Sequence, residues 1–73
     1  MSKPNKKAVQ EYVQENQLLA EFRRAEAALY DNAAREAAAG ITHETPEFLR
    51  FNQAVIDAGK RLPKRFRHLA KKG

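Results

Sequence analysis

The chain has no cysteine and no tryptophan, only three glycines and three prolines, and no long hydrophobic run. Each absence removes a class of protein. Without cysteine there is no disulfide framework, no thiolate metal site and no thiol nucleophile. The scarcity of glycine, proline and β-branched residues argues against a fold built from strands and tight turns. No apolar stretch approaches the ~18 residues of a membrane span. The opening Met1-Ser2-Lys3-Pro4-Asn5 lacks the apolar stretch of a signal peptide. A soluble, cytoplasmic protein is expected.

Hydroxyl nucleophiles are almost as scarce. Ser2 is the one serine, and Thr42, Thr45, Tyr12 and Tyr30 complete the set. The two threonines read better as turn and cap residues. Only His43 and His68 supply imidazoles, and no pair of histidines has the four-residue spacing that a helical zinc site needs. His43, Glu44 and Glu47 read as a solvated turn. The expectation is a protein without catalytic residues, metal or cofactor.

What remains is a helix-forming composition. Ten alanines lie between Ala8 and Ala39, and alanine has the strongest helix preference. With 73 residues the chain makes one small domain, 1–73, with 1–5 and 72–73 expected to fray. A chain of this size buries only about 60% of the surface its unfolded form exposes.

The first helix is predicted over about Asn5 to Ala39, with Asn5 as N-cap and Gly40 as the left-handed residue that ends it. Thr45-Pro46-Glu47 reads as a second start: a capping hydroxyl, proline at the first helical position, then an acid at the positive end of the dipole. The second helix is predicted to run from Pro46 to about Arg61. Pro63 disfavours helical geometry at Leu62, so a break and a short basic third helix, about Pro63 to Lys71, are expected. The fold class is all-α: an antiparallel hairpin of a long helix and a shorter one, closed by that third segment. Gly40-Ile41 resembles the corner of a DNA-binding helix-turn-helix. The likeness stops there, because Glu36 and Pro46 stand where a small and an apolar residue are needed.

Periodicity assigns the faces. At 100° per residue, Phe48, Phe51, Val55, Ala58, Gly59 and Leu62 share one side of the second helix. On the first, Leu19, Phe22, Leu29, Tyr30, Ala33 and Ala37 form a broad stripe. Val9, Tyr12, Val13 and Asn16 are rotated from it, which predicts a different packing partner, the third helix, for the N-terminal third. Fold-back then pairs Phe51 with the alanines near the turn, Leu62 with Phe22, and Phe66 with Leu18 and Leu19, and it sets Glu26 opposite Gly59 and Lys60, with its carboxylate reaching water or Lys60.

The net charge is +5, and it is unevenly spread. Residues 1–7 and 60–73 carry lysine and arginine without acid, whereas residues 8–59 hold all nine acids against four arginines. Fold-back gathers both basic ends at one pole. The candidate site is therefore a phosphate-binding set: Lys60, Arg61, Lys64, Arg65, Arg67, Lys71 and Lys72, with Lys6 and Lys7. Guanidinium groups suit phosphate because they donate two parallel hydrogen bonds. The expected function is that of a small accessory protein binding DNA or RNA without sequence preference. The alternative is a non-catalytic adaptor or inhibitor that binds protein through its helical faces. A two-helix layer also leaves apolar surface that a homodimer would cover.

Overall fold

The computed structural model describes residues 5–71. The chain forms α1 (Lys6–Ala38), α2 (Pro46–Lys60) and a C-terminal 3-10 helix (Lys64–Ala70), with no strand among the described residues. α1 and α2 pack as an antiparallel hairpin, 59 × 19 × 19 Å overall. Thirty-three residues at 1.5 Å each make α1 about 50 Å long. α2 is less than half that length, so the N-terminal part of α1 extends beyond it.

Local chemistry sets each helix end. Asn5 is ordered as the N-cap of α1, its side chain accepting from Lys7 N at 2.9 Å, which corrects the expectation that it frays. Residues 1–4 and 72–73, the rest of the expected frayed ends, lie outside the described residues. At the other end Ala39 is the C-cap and Gly40 takes φ 78°. The Gly40 amide donates to the Ala37 carbonyl at 3.0 Å and the Ile41 amide to the Glu36 carbonyl at 2.9 Å. This is a Schellman closure, which satisfies carbonyls that the helix itself leaves unpaired. α2 begins as its sequence predicts. The Thr45 hydroxyl accepts from Phe48 N at 3.0 Å, and Pro46 opens the first turn. The same hydroxyl donates to the Glu36 carboxylate, so one buried side chain caps α2 and ties it to the end of α1.

The core is thin. Phe22, Ala58 and Leu62 are the buried hydrophobic residues among those described, with Leu19, Ala25, Val55, Phe66 and Leu69 packed around them. Phe22 and Leu62 meet as the fold-back predicts. Leu19 and Leu29 are also covered as predicted, but the far side of the predicted α1 stripe is not. Tyr30 is 67% exposed, and Ala33 and Ala37 are open to solvent. The covered line runs through Leu18, Phe22, Ala25, Leu29, Asn32 and Glu36. Their alternating spacing of three and four is that of a seam between two nearly aligned helices. Asn32 is 4% exposed, and its Nδ2 has no hydrogen-bond partner.

Two further expectations fail. Phe51 is only half-buried, because the seam lies to one side of the alanines meant to receive it. Val9, Tyr12 and Val13 remain exposed, because the C-terminal segment does not run out along α1. It turns back over α2.

Stability should follow this seam. Phe22→Ala is expected to cost ~4 kcal/mol, the cost of emptying a fully buried aromatic site, and Phe51→Ala markedly less. Thr45→Ala should cost ~2 kcal/mol, since it removes both the cap and a bond to a charged group. Thr42→Ala, on the exposed turn, should stay within ~0.5 kcal/mol. Urea unfolding followed by circular dichroism measures all four.

Candidate functional site

The basic segment owes its shape to two residues. Pro63 cannot follow a helical Leu62 comfortably, so α2 ends in a tightened turn: the Arg61 amide donates to the Ala58 carbonyl at 3.1 Å and the Leu62 amide to the Gly59 carbonyl at 3.2 Å. Leu62, 1% exposed, stays in the core and anchors the bend. The chain then continues as a 3-10 helix, whose side chains repeat every three residues. Pro63, Phe66 and Leu69 accordingly form the half-buried edge, and every other residue from Lys64 to Lys71 is exposed.

Gly59 directs this segment back along α2. A methyl group built at Gly59 would lie 3.0 Å from Ala70 Cβ and 3.5 Å from Phe22 Cε1. The absence of a side chain thus admits Phe22 from below and the 3-10 helix from above. Arg67 Nε donates to the Leu62 carbonyl at 3.3 Å, which holds the bend on its other side.

The predicted cations are distributed as follows. Lys60, Arg61, Lys64, Arg65, Arg67 and Lys71 are all exposed at one end of α2. Arg65 pairs with Glu15 at 3.0 Å and Arg61 with Glu21 at 3.6 Å. Arg65 also lies over the Phe66 ring, 4.7 Å from its centroid. Both ion pairs are half-exposed or nearly so. Pairs of that kind contribute about 0–1 kcal/mol, so an arriving phosphate competes with them easily. Lys6 and Lys7 are separate from this set. They precede Glu15 by nine and eight positions, about 12–14 Å along the helix, and the 3-10 helix turns the other way. The single pole expected from fold-back is therefore split into a main cluster and an outlying pair. Lys72 lies outside the described residues.

Glu26 lies alongside Gly59 and Lys60, as expected, and the three border the same open groove. Its carboxylate pairs with Arg23 at 2.9 Å rather than with Lys60. That groove, about 960 Å³, runs between α1 and α2 and is walled mainly by Phe22, Leu29, Tyr30, Phe48, Val55 and Ile56. Lys60, Arg67 and Lys71 stand at its basic end. A smaller hollow continues it toward the turn, sharing Ala33 and Phe48 and bordered by Glu36, His43 and Glu44.

The groove, the buried Asn32 and the Glu36–Thr45 tie are not foreseen from the sequence. The three-four spacing from Leu18 to Glu36 is the signal that would have found the last two. It is obscured by a polar residue and an acid standing in the seam. His43 and His68 are exposed on the turn and on the 3-10 helix. No group of three potential metal ligands comes together among the described residues. No helix among them is long and apolar enough to cross a membrane.

The arrangement predicts that Gly59→Ala loosens the cation-bearing segment from the hairpin, because the added methyl crowds Ala70 Cβ at 3.0 Å but meets Phe22 Cε1 at an ordinary 3.5 Å. Amide protons of residues 64–70 should lose protection in hydrogen exchange, while those in the middle of α1 keep most of theirs. Equal loss in both would mean that the 3-10 helix and the hairpin form one cooperative unit.

No protein-family model, curated protein or solved structure matches the chain.

Proposed function

We propose that the protein is a small, basic nucleic-acid-binding accessory protein that contacts phosphates through its C-terminal segment. One observation carries this reading. Residues 60–71 contain six exposed cations and no acid, on a segment whose apolar edge fixes it to the hairpin. A bound polyanion gains Coulomb attraction and counterion release at little conformational cost, because the segment is already ordered. Such contacts carry no base information, so binding is sequence-independent and salt-sensitive.

Lys64 and Arg65 are the sharpest probes. Neither lines the groove, and neither holds the bend as Arg67 does. Lys64→Gln with Arg65→Gln should weaken binding to a short duplex and a short RNA, and flatten the log–log salt dependence by up to about two. Glu15→Gln should strengthen binding, since it releases Arg65 and removes a repelling charge. Fluorescence anisotropy reads each effect. If the unaltered chain binds neither probe near ~50 mM salt, where phosphate contacts are strong, the reading falls.

A second reading, a non-catalytic adaptor or inhibitor of another protein, is favoured by the apolar groove. Grooves of this kind accept an amphipathic helix. It is separated from the first by its insensitivity to salt.

A further inference from the structure

The groove is one face of a two-sided layer. On α1, at 100° per residue, Tyr30 and Ala33 lie to one side of the Phe22–Leu29 line and Asn32 to the other. On α2, Asn52, Ile56 and Gly59 lie to the same side as the groove. The opposite side carries the Glu21–Arg61 ion pair. Tyr30 and Ile56 are 67% and 42% exposed, yet both line the groove. The layer therefore has an apolar face next to a core with three buried hydrophobic residues among those described. A typical specific interface takes about 800 Å² from each partner, which is roughly one-eighth of the 6017 Å² surface of this chain.

Charge says what fits that face. The groove is basic at one end, with Lys60, Arg67 and Lys71, and it opens at the other onto a hollow bordered by Glu36 and Glu44. A surface with opposite charges at its two ends is complementary to itself when turned end for end. Side-by-side packing in the same direction would instead set cations against cations at one end and acids against acids at the other. A twofold axis near the middle of the groove, level with Asn52 and so midway between Lys60 and Glu44, brings each basic end over the other chain's turn, and Tyr30 and Ile56 are then covered from both chains.

We propose that the groove is occupied by a second copy of this chain, packed antiparallel as a four-helix layer, with Lys60, Arg67 and Lys71 of each copy facing Glu36 and Glu44 of the other. This does not depend on the nucleic-acid reading. Pairing takes up Lys60, Arg67 and Lys71 and leaves Lys64, with Arg61 and Arg65 in their half-exposed ion pairs, on the outside for phosphate, one such set at each end of the dimer.

Sedimentation equilibrium of the full chain, without nucleic acid, tests the association. We expect the mass of two chains in the micromolar range, with moderate weakening at high salt as the end charges are screened. Ile56→Lys should raise the dissociation constant by more than about tenfold by placing a charge in the apolar contact, with helical circular dichroism retained. Orientation is tested with single cysteines, which are clean reporters because the chain has none of its own. A mixture of Lys60→Cys and Glu44→Cys chains should form the mixed disulfide in preference to either self-pair. A chain that is monomeric up to high micromolar concentration overturns the proposal, and so does preferential self-pairing of Lys60→Cys. An Ile56→Lys variant that stays helical and dimeric overturns the assigned face.

Discussion

Phe22 lies against the backbone of α2 at Gly59, and the register of the hairpin follows from that contact. An aromatic ring that is 1% exposed needs partners on all sides, and here they are Ala58, Leu62 and the space left by a missing side chain. The other cross-helix pairings, Glu36 with Thr45, Glu21 with Arg61 and Glu15 with Arg65, all fall into the same antiparallel register. In a core this small, one close approach does the work that several layers of side chains share in a larger domain.

The turn and the C-terminal bend depend on the register in different ways. At the turn, local sequence would form both caps unaided: glycine for the left-handed closure, threonine and proline for the restart. Register adds the Glu36 carboxylate to the Thr45 hydroxyl, so that helix end and helix start hold each other. At the bend, local sequence supplies only the break at Pro63. Where the chain goes after it is decided by Gly59, which leaves room for Ala70, and by Phe66 and Leu69 seeking the edge of the core.

That bend determines how charge is presented. A segment continuing along α1 would have joined Lys6 and Lys7 and covered Val9, Tyr12 and Val13. Turned back instead, it exposes six cations beside an apolar groove and leaves the N-terminal part of α1 uncovered. Apolar groove, basic end and acidic turn then lie along one axis. The antiparallel pairing of two copies rests on that order.

The sequence by itself determined the elements. Asn5, Gly40, Thr45-Pro46 and Pro63 mark the helix boundaries because capping and breaking are local events, decided within a few residues of backbone. It also determined the separation of charge, and the face of α2, where Phe48, Val55, Ala58 and Leu62 give an unambiguous pattern. It did not determine the face of α1, where alanine and apolar residues occur nearly all round and several stripes compete. Only the tertiary structure decided between them. It placed Asn32 and Glu36 in the seam and left Tyr30 and Ala33 outside it, because Phe22 had to reach Gly59 while Glu36 reached Thr45. It also decided the type and direction of the last helix, since a three-residue repeat and a reversal both depend on contacts between residues distant in the chain.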